Sequence, residues 1–111
     1  TFAGNIPKGA RVQLMKANFD KLIDGANSAA SISLKMSGDC KPEFALFISC
    51  VGRKLVLSHR VVEEVEDAVG ILGANTAVLG FYSYGEISPL ISNARCELHN
   101  QTMTITTYSE C

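Results

Sequence analysis

Six side chains near the ends of apolar runs have the chemistry of a site: Cys50, Arg53, Tyr84, Glu86, His99 and Asn100. Arg53 offers a planar fork that matches a carboxylate, and Glu86 accepts hydrogen bonds from an ammonium group, so together they suit an amino-acid zwitterion. The competing reading pairs Arg53 and Glu86 with each other or with backbone, because partly buried charges need partners. Cys50 and His99, oriented by Glu86 or Asn100, have the composition of a nucleophilic thiolate site. Against that, a cysteine beside an apolar strand is commonly a small buried hydrophobe. His99 and Asn100 can hydrogen-bond a ligand or satisfy the backbone of a turn. Tyr82 and Tyr84 can stack on a ligand or belong to a core, and His59 reads as a surface residue.

These groups need elements to place them. Gly80-Phe81-Tyr82-Ser83-Tyr84-Gly85-Glu86-Ile87-Ser88-Pro89 reads as an aromatic strand that ends on a glycine, a carboxylate and a proline. Val78, Tyr82 and Tyr84 fall on one side of its period-two pattern, and Leu79, Phe81 and Ser83 on the other, as in a largely buried strand. Pro89 cannot continue a central ladder and Gly85 relieves the backbone, which puts Glu86 at a strand end beside a cleft. Phe44-Ala45-Leu46-Phe47-Ile48 runs apolar without alternation, the pattern of a strand covered on both faces at the centre of a sheet. Arg53 follows just beyond its far end.

Earlier in the chain, Phe2 and Ile6, the turn Pro7-Lys8-Gly9, and Val12 and Leu14 suggest an opening hairpin. Asn18 can cap a helix over about 19–31, with Phe19, Leu22, Ile23, Ala26 and Ala30 on one face and Lys21 and Asp24 toward water. Ser37 to Pro42 is a breaker-rich loop. A second helix starts by Ser58, with an apolar stripe of Val61, Val62, Val65, Ala68, Val69 and Leu72. Glu63, Glu64, Glu66 and Asp67 then form a solvated face, and Gly73 is the stop. Leu90 to Glu97 reads as a connection, and Thr102 to Tyr108 as the last strand. The expected fold is α/β: a mixed, roughly five-stranded sheet with two main helices in the order ββαβαββ, the crossovers being long enough for helices.

The 111 residues suit one domain with one core, taken as residues 1–111; 47% are hydrophobic, 19% charged, and the net charge is −1. Lys and Arg are scattered, so neither nucleic acid nor an anionic membrane surface is an expected partner. No apolar run approaches the roughly 20 residues that cross a bilayer. Cys40, Cys50, Cys96 and Cys111 show no zinc-finger spacing, and reduced thiols in a cytoplasmic protein are the plainer account. No metal or cofactor is expected. The start, neither an initiating Met nor a signal peptide, reads as that of an excised piece.

Gly80 to Pro89, taken with Phe47-Ile48-Ser49-Cys50-Val51-Gly52-Arg53 and Leu98-His99-Asn100-Gln101-Thr102-Met103-Thr104, resembles the C-terminal domain of the FIST family. The resemblance implies a sensory domain of a signal-transduction protein that binds a small molecule such as an amino acid, rather than an enzyme. It also implies, as partners, an N-terminal FIST half that holds part of the ligand site, and an output domain. The ligand-binding candidates are then Arg53, Tyr84, Glu86, His99, Asn100 and Cys50. The alternatives are a cysteine-dependent enzyme built on Cys50 and His99, or a protein-interaction module without ligand; a homodimer is left open.

Overall fold

In the computed structural model, residues 5–89, 91 and 94–110 are described. Helix α1 spans Phe19–Met36 and begins where the sequence provides a cap: the Asn18 side chain accepts from the backbone N–H of Asp20 (2.9 Å) and Lys21 (3.3 Å). It runs one turn and more beyond the expected end, because Ser33 continues the buried stripe of Ile23, Ala26 and Ala30. Strand β1, Phe44–Cys50, follows and passes directly into α2, Val51–Leu57. A single 3-10 turn over Ser58–Arg60 leads into α3, Val61–Leu72, which stops at Gly73 with φ 97°. Strands β2 (Ala77–Ser83), β3 (Glu86–Pro89), β4 (Cys96–His99) and β5 (Met103–Tyr108) complete the described chain.

The class is α/β with five strands in mixed sheets, as the sequence suggests, but the strands divide between two sheets. The first has the order β2-β1-β5, with β1 parallel to β2 and antiparallel to β5. The second is the antiparallel ribbon β3-β4, in which Glu86 stands opposite His99 and Pro89 opposite Cys96. β1 is central, as its apolar run predicts. Among the described residues its Ala45, Phe47 and Ser49 face is buried, under α1 and α3 and through a core of Ala26, Ala30, Ala45, Phe47, Ala68 and Leu72, while Phe44, Leu46 and Ile48 on the other face are half-buried. Small alanines on both helices let them lie close to the sheet and to each other.

Several expectations are corrected. The opening hairpin fails to form: Phe2 lies outside the described residues, and Ile6, Val12 and Leu14 are exposed in an unpaired segment. Its turn survives, with the Ala10 N–H on the Pro7 carbonyl (3.0 Å) and Gly9 at φ 85°. The aromatic strand is β2 at a sheet edge, with Leu79 and Phe81 exposed, rather than a buried strand. The stretch read as a connection contains β4, because Pro89 and Cys96 pair across the ribbon. Cys40 is disulfide-bonded, whereas Cys50 and Cys96 are free thiols, which corrects the expectation of a fully reduced set.

Candidate functional site

Parallel strands β1 and β2 end side by side, Cys50 next to Ser83, and the chemistry of the domain collects beyond those ends. Arg53 sits on the first turn of α2 and is 4% exposed. Its Nε donates to Glu64 Oε1 at 2.7 Å, and its Nη2 reaches the same oxygen. Nη2 also donates to the Leu22 carbonyl (2.6 Å) and Nη1 to the Gln101 carbonyl (3.3 Å). One guanidinium therefore ties α1, its own helix α2, helix α3 and the turn before β5. The expected pairing with Glu86 is replaced by Glu64, which has no exposed surface and corrects the reading of Glu63 to Asp67 as one solvated face. Glu64 stands three residues after Val61 and four before Ala68, on the apolar stripe itself; an acid at that spacing is the signal that a partner must come from elsewhere.

Glu86 opens β3 and is also buried. Its Oε1 accepts from Ser83 Oγ (2.6 Å) and its Oε2 from Thr102 Oγ1 (2.7 Å). The Cys50 N–H donates to the Thr102 carbonyl at 3.0 Å. Arg53, Glu86 and Cys50 therefore converge on the Gln101-Thr102 turn from three directions without touching one another's charges. Gln101 adopts φ 57°, a left-handed conformation that costs about 1 kcal/mol or more in a non-glycine residue. The Arg53 bond to its carbonyl helps hold it there. Gly52 packs closely beside this turn: a Cβ would lie 3.3 Å from Gln101 Cγ, which would have to give by a few tenths of an ångström.

The remaining candidates point elsewhere. Tyr84 is 90% exposed, Asn100 is exposed, and His99 Nε2 engages the Ser88 carbonyl at 3.0 Å across the ribbon. Among the described residues no hydrogen bond joins Cys50 to His99. Nor does any group of three or more His, Cys, Asp or Glu residues there have the arrangement to hold a metal ion.

Next to the Arg53 cluster, between β1, β2 and α3, lies a cavity of about 250 Å³ lined by Phe47, Ser49, Val65, Val78, Gly80, Phe81, Tyr82 and Met103. Gly80 keeps the strands close: a Cβ there would fall 2.7 Å from the Phe47 carbonyl oxygen and 2.9 Å from the Phe47 Cβ. Ser49 Oγ in this lining is buried without a partner among the described residues, and so is Glu64 Oε2, one residue before the lining Val65 on α3. Buried polar atoms are otherwise nearly always satisfied, so orphans beside a cavity mark a place where something polar fits. Tyr82 joins the cavity to the cluster electrostatically. Its phenol is raised above the ordinary value of 10.0 by burial first and then by the Glu64 charge, with Arg53 acting in the opposite direction. Lys54 Nζ lies 4.8 Å above the same ring.

An α/β fold with polar groups gathered at the ends of parallel strands is a ligand-site architecture, the usual position in open sheets of this class. The family model described as the FIST C domain matches residues 1–89, and the chain belongs to that family. It is a family of sensory domains in signal transduction. The match covers two of the three motifs read above; Leu98 to Thr104 lies beyond it, although Gln101 and Thr102 hold the site together. No curated protein and no solved structure matches the chain. Among the described residues no helix is long and apolar enough to cross a membrane.

Proposed function

We propose that this domain senses a small molecule of amino-acid size, bound between β1, β2 and α3. The observation that carries the reading is the buried, unpartnered Ser49 Oγ in the lining of an otherwise apolar cavity, with the second unpartnered atom, Glu64 Oε2, on the helix that forms one wall. An ammonium group would satisfy Ser49 Oγ and be favoured by the Glu64 charge on the same wall, while an apolar body packs against Phe47, Val65 and Tyr82. Four of the five N–H groups of Arg53 are engaged by Glu64 and two carbonyls, so it acts as a positioning residue rather than as the carboxylate fork expected from sequence. Glu86 and Cys50 take the same supporting role around the Gln101-Thr102 turn. Tyr84, His99 and Asn100 lie on the outer side, where the expected N-terminal half of a longer polypeptide would complete a larger site. The thiolate alternative loses support from the burial of Cys50. The disulfide at Cys40 weighs against a strongly reducing compartment, so the reading does not include the cytoplasmic location expected from thiol spacing.

Isothermal titration calorimetry with apolar amino acids and their decarboxylated amines tests the proposal. Saturable binding is expected, weakened about tenfold by Ser49→Ala, the equivalent of one hydrogen bond of about 1.4 kcal/mol. Absence of heat from the whole panel up to about millimolar concentration, or binding indifferent to Ser49→Ala, sinks it.

A further inference from the structure

Strand β5 closes the main sheet on one side, and no strand among the described residues pairs with its outer edge. The Cys50 N–H donates to the Thr102 carbonyl, which sets the phase of the ladder. In an antiparallel pair such bonds alternate, so Thr104 and Thr106 bond inward to β1, while Met103, Ile105 and Thr107 turn their N–H and C=O groups outward. That edge forms the floor of a cleft of about 880 Å³, walled by Ile32 and Met36 of α1 on one side and by Ile87 and His99 of the ribbon on the other. None of the residues lining it is Asp, Glu, Lys or Arg. Met103-Thr104-Ile105-Thr106-Thr107-Tyr108 also lacks the charges and prolines that usually protect an open edge.

The same chain exposes a segment that fits this cleft. In Ala10-Arg11-Val12-Gln13-Leu14-Met15-Lys16, Ala10, Val12 and Leu14 alternate with Arg11 and Gln13, the pattern of a half-buried strand that Met15 and Lys16 end, yet all of it is exposed and Leu14 is 94% so. Seven residues in extended form span about 23 Å, enough to run the length of the six-residue edge, about 20 Å. We infer that two copies of this chain exchange these arms, residues 10–16 of each pairing as an added strand with the β5 edge of the other. Ala10, Val12 and Leu14 then face Ile32 and Met36 of α1, and Arg11 and Gln13 lie on the opposite face, toward Ile87, Ser88 and His99 of the ribbon. The contact is isologous, each copy giving an arm and receiving one, so it closes at a dimer.

Sedimentation velocity on the full chain tests this, with circular dichroism as the check on folding. A reversible dimer is expected, with its dissociation constant raised at least about tenfold by Leu14→Asp in the arm and by Ile105→Pro in the edge. The proline removes an outward N–H and leaves the β1 ladder bonds, and Leu14→Asp disturbs no contact of the single chain. In a Cys96→Ser background, mixing Val12→Cys with Ile32→Cys chains should give a disulfide-linked heterodimer that neither chain forms alone. A chain that stays monomeric, an arm that closes on its own cleft included, overturns the inference. So does a dimer indifferent to Leu14→Asp, even where Ile105→Pro fails to fold.

Discussion

Replacing Arg53 by methionine should be among the most damaging single changes in this domain, and the structure says by how much. The substitution keeps length and apolar bulk but strands the Glu64 carboxylate, which has no exposed surface, without its donor. Breaking a buried ion pair by removing one partner costs about 3–5 kcal/mol. The Leu22 and Gln101 carbonyls lose donors as well, each worth up to about 1 kcal/mol where water cannot replace them. Against a total stability of about 5–15 kcal/mol, that is a large share. With an unfolding entropy of about 2.1 cal/mol/K per residue, 4 kcal/mol corresponds to a fall in Tm of about 17 °C. The assay is urea denaturation of wild type, Arg53→Met, Glu64→Leu and the double variant, read as a cycle. The double variant should recover most of the loss, because an apolar pair of similar volume is tolerated where a lone charge is not. A single variant that costs under about 1 kcal/mol, or a double variant as unstable as the two singles added, would refute the reasoning.

Two further outcomes follow from the neighbouring cavity. Gly80→Ala places a methyl 2.7 Å from a backbone oxygen that cannot swing aside, so urea denaturation should show a loss of about 1–3 kcal/mol; an unchanged midpoint would mean that the strands are not held so close. Tyr82 has a folded-state pKa above its ordinary 10.0, chiefly through burial, so the folded protein holds the phenolic proton more tightly than the unfolded chain does. Its contribution is fully present below pH 10 and is lost as pH rises through the folded value. Stability should therefore fall above about pH 10 more steeply in wild type than in Tyr82→Phe, and superimposable alkaline profiles would contradict the assignment.

What the sequence makes legible here is local. Asn18 caps α1, Gly73 stops α3, Pro7 to Gly9 makes its turn, and the unbroken apolar run of Phe44 to Ile48 is the central strand. Each depends on a residue's own backbone preferences or on a pattern within a few positions. The failures all involve a distant partner. Val12 and Leu14 carry strand chemistry but pair with no strand among the described residues. β4 looks irregular from Leu90 to Glu97 because its pairing with β3, not its composition, makes it a strand. Helix α2 was hidden for a related reason: it follows β1 without any intervening turn residue, and the Ser58 expected to start a helix instead takes φ 52° at the break between α2 and α3. Arg53 and Glu86 were recognisable as site residues because charge beside an apolar strand end demands explanation. Their actual partners, Glu64 for one and Ser83 with Thr102 for the other, are fixed only by the packing of α3 and the ribbon.

That packing also suggests how a bound ligand would be felt elsewhere in the fold. Glu64 presents one oxygen to Arg53 and leaves the other without a partner. In the proposed reading an ammonium group in the cavity is favoured by the same carboxylate, so it competes with Arg53 for negative charge. Arg53 in turn holds the Leu22 carbonyl of α1 and the left-handed Gln101 that precedes β5. Weakening its grip on Glu64 therefore acts at once on α1 and on the Gln101-Thr102 turn, which carries the second buried carboxylate, Glu86, through Thr102. A ligand shifts such an arrangement only by its difference in affinity for two states, and the left-handed Gln101, whose carbonyl is held by the Arg53 guanidinium, is where strain is stored. In the proposed reading the Arg53 cluster therefore links the cavity to the ribbon, which holds His99 and is flanked by Tyr84 and Asn100.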